Sequence, residues 1–262
     1  MVLADVDVDA ANLGLVLSPH TEETHDFMGG SIAEIDPEAC QGCGMCAEVC
    51  RFDAVKADGA VYTVDPVACE GCAACHYACP ADAIRMVLQH AGVWYVASTR
   101  YGPLYHAHLF AGQENSGKLV TLVKQRARLR ALDDDADLLL VDGPPGTGCP
   151  VIAALSGADR ALIVTEPTVS GAHDMRRILG VADHFQIPTA VLINKADLST
   201  AQSGAIADLC DELGVPVVGY LPYDPTVTDA MVHGEPITMH DGPVTDQLTK
   251  VWDELKVLLA LN

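Results

Sequence analysis

Leu138-Leu-Leu-Val-Asp142-Gly143-Pro-Pro-Gly146-Thr-Gly148 decides the fold of the larger part of this chain. An apolar run that ends in an acid and a glycine-rich turn reads as a buried strand delivered to a polar site. The same grammar recurs downstream. Strands are expected over 138–142, 161–165, 190–194 and 217–220, with helices over 170–184, 201–213 and 244–261. Near-continuous apolar strands alternating with amphipathic helices imply an α/β fold, a parallel sheet with helices on both faces. Ligands in such sheets sit beyond the carboxyl ends of the strands. There Asp142 is placed to hold Mg²⁺, and the turn after it can present a backbone N–H to a terminal phosphate. Val2-Leu-Ala-Asp5-Val-Asp7-Val-Asp9 reads as another strand end, with two acids on one side. A third strand ends at Asn194-Lys-Ala-Asp197, where Asn and Asp can read the edge of a base.

A different pattern interrupts this one. Cys40-Gln-Gly-Cys43-Gly-Met-Cys46-Ala-Glu-Val-Cys50 has the spacing C-x2-C-x2-C-x3-C, and it recurs 29 positions later as Cys69, Cys72, Cys75 and Cys79. Three closely spaced thiolates wrap one face of a cubane, and the fourth is thrown onto the neighbouring cluster. The spacing therefore assigns Cys40, Cys43, Cys46 and Cys79 to one [4Fe-4S] cluster, and Cys69, Cys72, Cys75 and Cys50 to a second. Two zinc sites are the alternative, and two four-Cys runs with this spacing fit them poorly. The flanks repeat too: Ile35-Asp36-Pro37 matches Val64-Asp65-Pro66, and Ala54-Val55 matches Ala83-Ile84. This duplication closely resembles a two-cluster bacterial ferredoxin, with one departure: Arg51 stands where such modules place Pro after the fourth Cys.

Composition sets limits. A net charge of −21 argues against nucleic acid or an anionic membrane as partner. No apolar run approaches the ~20 residues of a membrane span, and Asp5, Asp7 and Asp9 break any signal-peptide core. A cytoplasmic location is the expectation, and ten cysteines there are metal ligands before they are disulfides.

Taken with Gly112-Gln-Glu-Asn-Ser-Gly117-Lys118-Leu-Val, Asp142-Gly-Pro-Pro-Gly-Thr-Gly-Cys-Pro150, Thr165-Glu-Pro-Thr168 and Asn194-Lys-Ala-Asp197, the chain resembles the MinD/ParA-type P-loop ATPases, in the subgroup with an inserted two-cluster ferredoxin. The resemblance implies residues 1–35 and 89–262 as the nucleotide-binding domain and 36–88 as the α+β insertion. It implies ATP and Mg²⁺ beside the two clusters. Asp7 would position the attacking water, Asp5 would support the metal, Asp142 would be the Mg²⁺ acid, Gly146 would contact the γ-phosphate and Asn194 would hydrogen-bond adenine. It further implies a redox partner protein and a homodimer or paralogous heterodimer. The expected function is ATP binding or hydrolysis coupled to electron transfer or partner docking. An electron-transfer ferredoxin with an inert nucleotide fold and a cluster assembly factor are the alternatives.

The family's phosphate-cradling loop should stand upstream of Asp5, and the chain begins at Met1. Met1 is therefore expected to be an internal start or a truncation point, with ATP hydrolysis conditional on the missing loop. Otherwise the chain is a remnant that uses only its ferredoxin half. Losing the strand before that loop would leave two sheet edges open. Gly112–Lys118 has the spacing G-x4-G-K without a clear parent strand, and Leu119 replaces the Mg²⁺-holding hydroxyl. Cys149 is expected to be a buried structural residue, and His106 and His108 to line one face of an exposed strand.

Overall fold

A computed structural model describes residues 1–113 and 116–259. Its strands are β1 (Val2–Asp5), β2 (His20–Ile35), β3 (Val55–Asp58), β4 (Val61–Val64), β5 (Ile84–Thr99), β6 (Gly102–Leu109), β7 (Leu139–Asp142), β8 (Ala161–Thr165), β9 (Thr189–Ile193) and β10 (Val217–Tyr220). Its helices are α1 (Leu13–Leu17), α2 (Met45–Glu48), α3 (Ala74–Ala78), α4 (Ser116–Asp133), α5 (Cys149–Leu155), α6 (Val169–His184), α7 (Thr200–Leu213), α8 (Thr226–Val232) and α9 (Pro243–Leu259). Glu114 and Asn115 of the glycine-rich stretch lie outside the described residues, as does the expected end of the last helix at 261.

Local chemistry explains the element ends. Thr168 caps α6, its hydroxyl accepting from the Gly171 N–H at 2.9 Å, and Ser199 caps α7 through Gln202. Gly214 stops α7 in the left-handed conformation, φ 67°. On α4 the residues Leu119, Val120, Val123, Ala127 and Ala131 recur at three- and four-residue spacing, and all are buried.

The strands form two larger sheets, not one. The first has the order β2-β5-β6-β1-β7 and the second β10-β9-β8, while β3 and β4 form a separate hairpin. β6, β1 and β7 run parallel, as does the whole second sheet, but β2, β5 and β6 are antiparallel. The all-parallel expectation fails there because β2 and β5 are the legs of a long ribbon that carries the cysteine module. The two sheets also keep separate cores. One is built from Val2, Ala4, Trp94, Leu109 and the inner face of α4, the other from Ile163, Met175, Val191, Ile193, Ile206 and Cys210.

Among the described residues β7 and β8 each have a single strand neighbour. Leu140 on β7 is 50% exposed and Val164 on β8 is 55% exposed, high values for apolar residues in an α/β sheet. These are the two open edges anticipated above. Among the described residues no helix is long and apolar enough to cross a membrane.

Two expectations are corrected. The glycine-rich segment before α4 does have a parent strand, β6, which pairs in parallel with β1. That strand is interior, so His106 is half-buried between β5 and β1, while His108 is exposed as expected. Alternating polar residues hid it, although Leu104, Tyr105, Ala107 and Leu109 are all buried.

Candidate functional site

The cysteine module is built by the duplication. The pairs Val55↔Val64 and Asp58↔Val61 of β3 and β4 reappear 29 positions away as Ile84↔Ile35 and Val87↔Ile32 of β5 and β2. Each half then supplies a cysteine loop and a short helix, α2 or α3. Two cavities result. Cys40, Cys43, Cys46 and Cys79 line one with Tyr62, Ala83 and Ile84. Cys50, Cys69, Cys72 and Cys75 line the other with Ala33, Phe52 and Val55. The structure thus brings each fourth cysteine to the opposite set, as the spacing required.

Iron–sulfur clusters fit these cavities. Cys46 and Cys75 are buried, and burial pushes both thiols above their ordinary value, a state that bonding to iron relieves. Two glycines let the backbone close in on the ligands. A Cβ at Gly42 would collide with the Ala60 carbonyl oxygen, and one at Gly71 with that of Ser31. Ala33 N–H donates to Cys69 Sγ at 3.5 Å and Ala83 N–H to Cys79 Sγ at 3.4 Å. Among the described residues no three His, Cys, Asp or Glu converge on a single-ion site. The thiols instead surround cavities, which suits a multi-iron group and not zinc.

The second constellation lies at the carboxyl ends of β1 and β7. Asp5 and Asp142 are register partners, and Asp7 follows in the next turn. Asp5 is 1% exposed, and its carboxylate accepts from the N–H groups of Asp7 at 3.2 Å and of Asn12 and Leu13 at 2.9 Å. It therefore fixes the loop that carries Asp7 and the start of α1. Asp142 is exposed at the end of an edge strand, yet partial desolvation first, then Asp5 and Asp7, raises its carboxyl to about 6. Burial, then Asp5 and Asp9, also raises Asp7. Desolvation and mutual repulsion thus hold the carboxyls of Asp7 and Asp142 above the ordinary range at these strand ends. Gly146 stands in the open turn beyond, with φ 89°.

Asn194 is not brought to this cluster. It follows β9 in the other sheet, and its side-chain oxygen accepts from Lys195 N–H at 3.0 Å. Beside it Lys195 Nζ pairs with Glu166 Oε1 at 2.6 Å, and Asp197 accepts from Tyr223 N–H at 2.6 Å. These contacts tie together the carboxyl ends of β8, β9 and β10.

Three participants escaped the sequence. His106 is the register partner of Asp5 on β6, stacks on Tyr95 at 4.8 Å and has a buried Nε2 without a partner. Burial lowers its imidazole pKa against the pull of Asp5. Buried Lys124 on α4 donates to the carbonyls of Ala153, Ala154 and Ser156 at the end of α5. A lysine inside the apolar stripe of α4 was the signal for that anchor. Cys149, expected to be buried, is exposed, because it opens α5 directly after the glycine-rich turn.

The fold and the two constellations define an iron–sulfur protein on an α/β body that gathers acids at its strand ends. Comparison places it further. The family model described as ParA, NUBPL iron-transfer P-loop NTPase matches residues 116–256, and the 4Fe-4S binding domain matches 33–56 and 62–85. The chain belongs to the ParA/MinD-type P-loop NTPase family and carries two 4Fe-4S domains. Protein MJ0578 of Methanocaldococcus jannaschii is 35% identical over 199 residues, covering 76% of this chain and 68% of its own length. A cytosolic Fe-S cluster assembly factor Nubp1 homolog from Drosophila willistoni is 30% identical over 135 residues, 44% of each chain. MinD of Pyrococcus horikoshii, solved with Mg-ADP, shares the fold with TM-score 0.56 at 15% identity, covering 98% of this chain and 83% of its own. The chain thus spans about two thirds of MJ0578 and under half of the Nubp1 homolog.

Proposed function

We propose that this protein couples ATP binding and hydrolysis to electron flow through two [4Fe-4S] clusters, or to docking of their redox partner. One observation carries the reading. β5 runs unbroken from Ile84, in the cluster core, to Trp94, in the body core, and pairs with β6 beside β1 and its acids.

The residues divide the work as follows. Cys40, Cys43, Cys46 and Cys79 hold one cluster, and Cys69, Cys72, Cys75 and Cys50 the other. The clusters supply one-electron transfer when bound. Asp142 would hold Mg²⁺, Asp7 would orient the attacking water, and Asp5 keeps the Asp7 loop in place. Gly146 contacts the γ-phosphate, and Asn194 takes the adenine edge.

Steady-state ATP hydrolysis by the cluster-loaded full chain, with and without a low-potential reductant, tests the reading. The expected result is turnover that changes with cluster oxidation state and falls at least 100-fold in Asp7→Asn. Hydrolysis indifferent to the clusters, or none at all, contradicts it and leaves an electron-transfer protein with an inert body.

The relatives favour a second reading, in which the chain takes part in cluster assembly, since the Nubp1 homologs are named cytosolic Fe-S cluster assembly factors. Beyond Cys79 it offers exposed Cys149 and buried Cys210 as further thiols, a poor set for a transient cluster. Transfer of iron and sulfide from the loaded chain to an apo-ferredoxin within minutes would establish that reading over the first.

A further inference from the structure

The duplication that makes the two cluster sites also makes them unequal. In the first half, β3 and β4 close on each other through Gly59, φ 63°. Its counterpart 29 positions earlier is Gly30, φ 75°, which closes nothing. At Gly30 the chain enters a bulge, with register shifts between Met28 and Ser31, and the ribbon continues into the body. The symmetric unit therefore ends at Gly30 and Leu88. From there to the body the connection, among the described residues, is the β2–β5 ribbon.

This neck belongs to neither core. The body core ends at Phe27 and Ala91, and the module core begins at Ala33, Ile84 and Met86. Between them Met28 is 50% exposed and Leu88 64% exposed. A bulged two-stranded ribbon with exposed apolar side chains is the least restrained part of such an element.

One cluster loop is seated on it. Gly71, between Cys69 and Cys72, lies hard against the Ser31 carbonyl, one residue beyond the bulge. Ala33 N–H, on the same strand, donates to Cys69 Sγ at 3.5 Å. In the other half the matching loop, at Gly42, leans on Ala60 in the closed β3–β4 turn, which touches no part of the body ribbon through that contact. The second cluster site is thus braced beside the neck, whereas the first leans on its own hairpin and meets the ribbon at its far end, through Ile35, Ala83 and Ile84.

We propose that the segment Gly29–Ala33 is a positioning element for the cluster held by Cys69, Cys72, Cys75 and Cys50. The Gly30 bulge is the joint between module and body, and the setting of that joint reaches this cluster and not the other. Hydrogen bonds to cluster sulfurs and the packing around them tune reduction potential, so a shift of Ala33 and Ser31 alters one potential selectively. The inference rests on the reading that both cysteine sets hold clusters. It does not require that nucleotide be bound.

The test is an EPR-monitored redox titration of the cluster-loaded full chain, with signals assigned through Cys43→Ala and Cys72→Ala. Gly30→Ala forces an L side chain into the left-handed conformation and resets the joint. It should change the reduced fraction of the Cys69-set cluster at fixed potential by threefold or more, and leave the Cys40-set cluster unchanged. Gly59→Ala should do the reverse. Hydrogen–deuterium exchange of the unaltered protein gives an independent readout: residues 87–90 of β5 should exchange at least tenfold faster than 93–98. Equal shifts at both clusters, no shift at either, or equal exchange along β5 would overturn the proposal, even where Gly30→Ala does not fold. Absence of any cluster signal in the unaltered chain would instead remove the cluster reading on which it rests.

Discussion

The cysteine module and the body hold themselves together differently. In the module, ligands and core are the same atoms: Cys46, Cys50, Cys69, Cys75 and Cys79 pack with Ala33, Val55 and Ile84 in one small cluster. In the body, two apolar cores stand apart from the chemistry, and the acids sit where strands end. The module's fold should therefore depend on its cofactor, whereas the body's should not. The body's weakness lies elsewhere: among the described residues β7 and β8 each have a single strand neighbour.

Stripping the iron breaks this comparison most severely. Removing the clusters with chelator under reducing conditions should abolish exchange protection in β3, β4, α2 and α3, because metal binding supplies folding free energy for such sites. β8, β9 and α7 should keep theirs. Hydrogen exchange of the loaded and stripped protein checks this, and uniform loss in both regions would show that the two are not independent.

Next in size is Lys124→Ala. It leaves the carbonyls of Ala153, Ala154 and Ser156 without their buried donor, so the first sheet and its α4–α5 layer should lose about 2–3 kcal/mol in urea unfolding. A loss under 0.5 kcal/mol would show that the anchor carries little weight.

A smaller effect comes from Asp142. Its carboxyl is raised to about 6 in the folded protein, so the folded state holds this proton more tightly than the unfolded chain. Its contribution to stability is present at low pH, falls as pH rises from about 4 to 6, and stays lost above that. Asp142→Asn should stabilise the metal-free protein at pH 7 by of order 1 kcal/mol once solvent screening is allowed for, and remove that pH dependence. Thermal unfolding at pH 4.5 and pH 7 checks the sign. The smallest effect is Lys195→Ala, which breaks an exposed pair with Glu166 and should leave the unfolding temperature within error.

The sequence revealed most where spacing is local. Eight cysteines in two runs define both cavities and their crossed fourth ligands, because a loop of ten residues cannot hide its geometry. Apolar strands ending in Asp5, Asp142 and Asn194 were equally plain. The ribbon was not. β2 reads His-Thr-Glu-Glu-Thr-His-Asp over its first residues, the polar face of an edge strand, and no apolar alternation announces it. β5 crosses the expected module boundary at 88 without a break, since a strand shared by two cores carries no turn signal at their border. Cys149 misled for the opposite reason, because local sequence does not say which side of a helix start faces solvent.

The central claim is that the body and the clusters act as one device. It is tested most directly by titrating the reduction potentials of both clusters in the full chain, with and without saturating Mg-ATP, while nucleotide binding is followed on the same samples. The account predicts that bound nucleotide shifts the potential of the Cys69-set cluster and leaves the Cys40-set cluster where it was. Bound nucleotide with both potentials unmoved would contradict it.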